Sequence, residues 1–141
     1  MRDIKFRGIS VERLVGDNQW LEGFGVDFCE MTDGTTEVYL YTNFNGVCRV
    51  IPETVGQYTG LRDREGEDIY EDYILDGSYK NPMSGEMVKR HYKVTYKKGG
   101  FYAEMIGHHP FGTTLLYFEN ENAVVIGNIH DNPELLQPQG E

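Results

Sequence analysis

The sequence predicts an all-β protein with few short helices, and three observations carry that prediction. Short stretches of alternating apolar and polar residues recur along the 141 residues, each closed by a turn signal. Glycine occurs 17 times and aromatics make up 13% of the chain, which suits turns and pleated surfaces. Helical periodicity is confined to two short pieces, and neither an internal repeat nor a low-complexity segment is present. Many short strands with regular turns lead to a small barrel as the expected closure. The length fits one domain, or a domain with a sub-domain, and is enough to bury a core.

The elements follow in order. Ile4 to Ile9 reads as an opening strand with Ile4 and Phe6 inward. Gly16-Asp17-Asn18 is a loop signal. Trp20 to Phe28 places large apolar residues at alternate positions, so Trp20 and Phe24 are expected to anchor the core. Thr32 to Thr35 turns the chain into Glu37–Thr42, with Val38, Leu40 and Thr42 on one face. Asn45-Gly46 is a strong hairpin signal, and Val47 to Ile51 is the partner strand.

The chain centres on Val55 to Leu75, read as strand, tight turn, strand. Asp63-Arg64-Glu65-Gly66 has the composition of a type I turn closed by a glycine with positive φ. Gln57-Tyr58-Thr59 and Ile69-Tyr70 flank it as strands, and Gly60 permits a kink. A hairpin explains these residues without a ligand.

Asp76 to Glu86 reads as a loop. Met87 to Tyr96 reads as one long strand, with Arg90, Tyr92, Val94 and Tyr96 on one face and the lysines on the other. Lys98-Gly99-Gly100 turns it into Phe101–Ile106. His108-His109-Pro110 lies in a loop, Leu115 to Phe118 is a short strand, and Ala123 to Gly127 a buried one. Asp131 or Asn132 caps a short helical turn with Pro133 at its first position. Residues 137–141 are expected to be a flexible tail.

The formal net charge is -10 and the sequence pI about 4.8, which disfavours nucleic-acid binding and favours solubility or basic partners. Neither a signal peptide nor an apolar run of about 18 residues is found, so a cytoplasmic protein without membrane contact is expected. Cys29 and Cys48 lack zinc spacing and are expected to be reduced.

Chemistry-bearing patterns are sparse. From Lys80 to Lys98 six basic residues face one acid, Glu86, with Tyr92, Tyr96 and Phe101 interleaved. Lys89, Lys93, Lys97 and Lys98 are therefore candidates for nucleic-acid contact. A solvated lysine face with inward tyrosines is the preferred reading, because alternation separates the two. Adjacent His108 and His109 point opposite ways in an extended segment and do not share a metal. His108, His130 and Glu104 form a third, enzymatic hypothesis that requires them to converge. No catalytic motif is recognised, and neither a cofactor nor a metal is expected.

Three stretches together resemble the YopX family, small proteins encoded by phages and prophages. They are Arg2 to Arg7; Gln57-Tyr58-Thr59-Gly60-Leu61 with Asp63, Gly66 and Ile69-Tyr70-Glu71; and Val125 to His130 with Asn132 to Leu136. Gln57, Tyr58, Thr59, Gly60, Asp63, Gly66, Ile69, Tyr70, Glu71, Gly127, Asn128 and Pro133 form the signature, read as mainly structural. The family pattern has a glycine after the residue matching Glu71. Here Asp72 stands there, which predicts a different bend before Tyr73. The resemblance implies a mostly β fold containing an SH3-like barrel, and self-association. It implies no catalytic residues, because the family has no established activity.

The expected organisation is a β-rich, irregular N-terminal segment over 1–53, an SH3-like barrel over 54–136, and the tail 137–141. The expected role is a phage-encoded, non-enzymatic binding protein acting by protein–protein contact in the bacterial cytoplasm. Its partners are an unidentified host or phage protein and further copies of itself, with a trimer as the first expectation. A nucleic-acid-binding accessory role for the basic strand 89–98 is the alternative.

Overall fold

The computed structural model describes residues 3–107 and 112–137. His108, His109, Arg2 and the last four residues of the expected tail lie outside that range. Among the described residues the fold is all-β, and helix is limited to short 3-10 turns. The chain packs as two compact units, Met1–Gly60 and Leu61–Glu141.

The first unit holds β1 (Phe6–Ile9), β2 (Trp20–Glu30), β3 (Thr36–Thr42), β4 (Val47–Val50) and most of β5 (Gly56–Arg62). They run antiparallel in the order β4-β3-β2-β1-β5. The core forms because alternate residues fall on one face. Leu21, Val38, Leu40 and Val50 are buried, with Phe6, Leu14, Val26, Cys48 and Val55 packed around them. One bridge, Ser10 to Val50, ties the chain just after β1 to β4, and a 3-10 turn at Pro52–Thr54 leads into β5.

Trp20 and Phe24 are not the expected anchors. Trp20 is half-buried, with the Arg7 guanidinium 4.4 Å from its ring, and Phe24 is 62% exposed. The inward face of β2 begins at Leu21 and Gly23, so alternation puts Trp20 and Phe24 on the other face, and a β-bulge between Gly23 and Gly25 resumes the inward series at Val26.

The second unit holds β6 (Asp68–Tyr70), β7 (Tyr73–Asp76), β8 (Tyr79–Lys80), β9 (Met87–Val88), β10 (His91–Lys97), β11 (Gly100–Met105), β12 (Thr113–Leu115) and β13 (Val124–Asn128). Five of these form a sheet in the order β12-β11-β10-β7-β13, while β8 and β9 pair separately. β7 lies between β10 and β13, and Tyr73, Ile74 and Leu75 are buried one after another, as in a strand covered on both faces. Tyr92, Val94, Ala103 and Leu116 complete the interior.

The SH3-like barrel expected over 54–136 is not formed, and this sheet is open. β13 returns to β7, not to β12, which leaves β12 and β13 as its two edges. β12 has three residues before Leu116 starts a 3-10 turn, so no stretch remains to close it onto β13. The long strand Met87–Tyr96 is also divided. Between β9 and β10 the Arg90 amide donates to Ser78 Oγ (3.0 Å), and the Arg90 carbonyl accepts from the Gly77 amide (2.7 Å). The expected loop after Asp76 thus contains a small hairpin. The expected strand Leu115–Phe118 is mostly a 3-10 turn, and the short helical turn opened by Pro133 is a 3-10 turn over Pro133–Leu136.

Candidate functional site

The central turn is built around one buried carboxylate. Asp63 Oδ1 accepts from the amides of Glu65 (2.9 Å) and Glu67 (2.8 Å), and Oδ2 accepts from the Val125 amide (2.8 Å). The Gly66 amide donates to the Asp63 carbonyl at 3.0 Å, and Gly66 has φ +86°, the region that favours glycine. Two further bonds fasten the turn to the segment before β13. The Arg64 amide donates to the Ala123 carbonyl (2.9 Å), and Asn120 Nδ2 donates to the Arg62 carbonyl (2.7 Å). The signature residues Asp63 and Gly66 therefore act on the fold.

This fastening places Arg64 at a cleft of about 310 Å³ within the second unit. Gly77, Ser78, Tyr79, Arg90, Glu119 and Asn122 line the rest. Arg90 is held from several sides. Its guanidinium lies 4.8 Å from the Tyr79 ring centroid. Nη1 donates to the Tyr92 hydroxyl and Nη2 to the Tyr79 hydroxyl, both at 3.4 Å. The Tyr92 hydroxyl in turn donates to Glu119 Oε1 at 3.3 Å. Gly77 permits this arrangement, because a Cβ there would stand 2.7 Å from Tyr92 Cε2.

The electrostatics follow. The hydrogen bond to Tyr92 raises the Arg90 pKa above its usual value, with burial working against it, so the guanidinium stays charged. Burial raises the Tyr92 hydroxyl; the Arg90 hydrogen bond opposes this and the Glu119 charge adds to it. Next to the cleft, burial acts to raise Asp76. Hydrogen bonds from Ser78, with the charges of His91 and Arg64, outweigh burial and leave Asp76 below the ordinary carboxylate value. No sequence spacing links 64, 78–79, 90 and 119–122, so this cleft was not legible in advance. The one usable signal was an arginine inside the turn that Asp63 organises.

The first unit presents a different surface. Tyr41 is paired across strands with Val47, and its ring lies 6.3 Å from that of Phe24. All three are exposed, and Phe44 is 95% exposed on the turn that joins β3 to β4. That turn is fixed by Thr42, whose hydroxyl donates to the Gly46 carbonyl (2.6 Å) and accepts from the Asn45 amide (2.8 Å). Beside the stripe a groove of about 310 Å³ is lined by Ser10, Glu12, Leu14, Tyr39, Val47, Cys48 and Arg49. Its charge is balanced locally, since Arg49 lies 3.7 Å from Glu37, which also accepts from the Tyr39 hydroxyl at 2.6 Å.

The other predicted residues are dispersed. Lys93 pairs across β10 and β11 with Glu104, and Lys97 Nζ lies 3.8 Å from the same carboxylate and 5.4 Å from the Tyr102 ring. One acid therefore interrupts the lysine face. Lys89 precedes β10, and Lys98 sits at φ +50° in the hairpin turn with Gly99. His130 Nε2 lies 3.4 Å from Asp72 Oδ2, while Glu104 serves Lys97, so these two candidates have separate partners. His108 and His109 lie outside the described residues. Among the described residues no group of three or more His, Cys, Asp or Glu is placed to hold a metal ion. Cys29 and Cys48 are free thiols.

The remaining signature residues sit in the framework. Tyr58 is buried, with Lys5 Nζ 4.5 Å from its ring, and Gln57 pairs with Phe6 across β5 and β1. Thr59 is half-buried in β5, and Gly60 has φ +87°. Ile69 and Tyr70 are buried, and Glu71 is half-buried before β7. Asn128 is buried, and its Oδ1 accepts from the amides of His130 and Asp131. Gly127 packs against the Asn132 side chain, and Pro133 opens the last 3-10 turn. Asp72 has φ +67°, so the aspartate itself adopts the backbone that a glycine favours. Its amide donates to the Val94 carbonyl, and its carbonyl accepts from Ile129.

Fold and surfaces define the class: a two-unit all-β protein with an apolar face on one unit and a basic, tyrosine-lined cleft on the other. A family described as "YopX protein" matches residues 11–137, and the chain belongs to the YopX family. Among solved structures it is similar to one titled "Crystal structure of protein EF1440 from Enterococcus faecalis", at 25% identity and TM-score 0.49, covering 97% of this chain and 100% of that one. No curated protein matches the sequence. Among the described residues, no helix is long and apolar enough to cross a membrane.

Proposed function

We propose that this is a non-enzymatic binding protein of phage or prophage origin. It acts by protein–protein contact in the bacterial cytoplasm and associates first with copies of itself. The observation that carries the reading is the exposed apolar stripe Phe24–Tyr41–Val47, extended by Phe44. Exposed apolar patches mark association surfaces more often than isolated apolar residues do. The stripe residues are uncharged, so contact through them is the contact least opposed by repulsion between copies that each carry a net charge of -10.

Sedimentation equilibrium across a wide concentration range tests it. The wild-type chain is expected above monomer mass, with a trimer as the expected size. The Phe24→Ser/Tyr41→Ser variant is expected to be monomeric with an unchanged circular dichroism spectrum. A wild-type chain that stays monomeric at all concentrations overturns the reading. The nucleic-acid reading gains no support from the lysine face, since Glu104 stands across from Lys93 in the register and ion-pairs with Lys97.

A further inference from the structure

We propose that the cleft of the second unit binds a small oxyanion, a phosphate or carboxylate group, held between Arg64 and Arg90. This goes beyond the association surface and is independent of it, since it rests on different residues.

The lining is rich in donors. Arg64 and Arg90 supply guanidinium groups, and Asn122 supplies an amide. Ser78 Oγ accepts from the Arg90 amide, and the Tyr79 hydroxyl accepts from Arg90 Nη2. The Tyr79 hydroxyl therefore keeps its proton for a ligand oxygen, while the Ser78 hydroxyl is engaged with Asp76. Glu119 is the one carboxylate among the lining residues, and it already accepts from Tyr92. By formal charge the lining is positive, in a chain that is strongly negative.

Arg90 is pre-set for this task. The Tyr79 ring and two tyrosine hydroxyls fix its plane, while a guanidinium offers five donors. Fixing the fork in advance removes an ordering cost that binding would otherwise carry. Arg64 is complementary. Among the described residues no side chain hydrogen-bonds or ion-pairs with its guanidinium. Its backbone is nevertheless anchored through Ala123 and the Asp63 turn. Arg64 acts on Asp76 by charge but holds no side-chain hydrogen bond or ion pair, so its fork, on a fixed backbone and facing the cleft with a stacked guanidinium, is open to an oxyanion. The volume, about 310 Å³, admits a small molecule or a single anionic group.

The test uses the full chain, with inorganic phosphate and succinate as separate probes, followed by amide chemical shifts and calorimetry. Saturable shifts are expected at Arg64, Gly77, Ser78 and Asn122 with at least one probe, and the tighter probe identifies the oxyanion. Arg64→Gln is expected to weaken binding about tenfold or more, the loss of one charge-assisted pair. Because the Arg64 side chain carries no internal bond, this variant should remain folded. Glu119→Gln removes the opposing charge and is expected to tighten binding. Lys93→Gln serves as the control and should leave affinity unchanged. Absence of saturable shifts with both probes overturns the proposal. So does equal weakening by Arg64→Gln and Lys93→Gln, which would mean diffuse charge attraction.

Discussion

The apolar face of residues 1–60 and the cleft of residues 61–141 are built on opposite plans. The face is held by its backbone, and its side chains are passengers: Phe24, Tyr41 and Val47 project from a paired sheet that does not need them. In the cleft the side chains are themselves the structure. Asp63 organises the turn, Gly77 makes room for Tyr92, and Arg90 links Tyr79, Tyr92 and, through Tyr92, Glu119. Substitution should therefore have separable effects. On the face it should alter association and spare stability. At the cleft, most positions should alter both.

The largest expected effect tests that contrast directly. Asp63→Ala removes a buried carboxylate and leaves three amides, of Glu65, Glu67 and Val125, without their acceptor. At about 1–3 kcal/mol for each unsatisfied group, urea unfolding should register a loss of several kcal/mol. A loss below about 1 kcal/mol would show that water replaces the carboxylate and that the turn is no hub. Next comes Gly77→Ala. Its Cβ meets Tyr92 Cε2, so the ring must move, with an expected loss of about 1–3 kcal/mol. The same shift should separate Arg90 from the Tyr92 hydroxyl and weaken any oxyanion binding.

Asp72 gives a smaller and two-signed comparison. Its left-handed backbone costs a non-glycine residue about 1 kcal/mol. Asp72→Ala keeps that strain and loses the carboxylate beside His130, so it should destabilise. Asp72→Gly relieves the strain and should exceed Asp72→Ala in stability by about 1 kcal/mol. Equal stabilities for the two variants would mean that the positive φ carries no strain.

Asp76 provides a pH test. Its folded pKa is depressed, so its contribution is fully present above the ordinary carboxylate value, about 3.9, and is lost as pH falls through the lower folded value. The stability gap between wild type and Asp76→Asn should be constant near neutrality and narrow below about pH 4. A gap independent of pH in that range would remove the assigned hydrogen bonds to the charged form. Smallest of all is Phe24→Ser, with an expected stability change within about 0.5 kcal/mol. A larger loss would make Phe24 part of the fold and erase the distinction between face and cleft.

Much of the strand pattern was legible because strand and turn signals are local. Val38, Leu40 and Thr42 share a buried face as their alternation requires, and Asp63 to Gly66 form the turn that their composition specifies. Phe24 was misread because Leu21 and Gly23, not Trp20 and Phe24, take the inward positions of β2, a choice of face that alternation alone leaves open. The division of Met87–Tyr96 was hidden for a related reason. It depends on Ser78, twelve residues from Arg90, taking the amide that a continuous strand would have used.

By itself the sequence determined an all-β chain, its main hairpins, its acidic balance and, through three ordered motifs, its family. Each is fixed by neighbouring residues or by composition, and none requires distant parts of the chain to meet. Tertiary structure alone decided that the second sheet stays open, that Glu104 ion-pairs with Lys97, and that Arg64 and Arg90 line one cleft. Those outcomes depend on which strand β13 joins and on hydrogen bonds spanning up to 62 residues, between Asp63 and Val125. Long-range pairing is a competition among all available partners, and local propensity carries no record of who wins it.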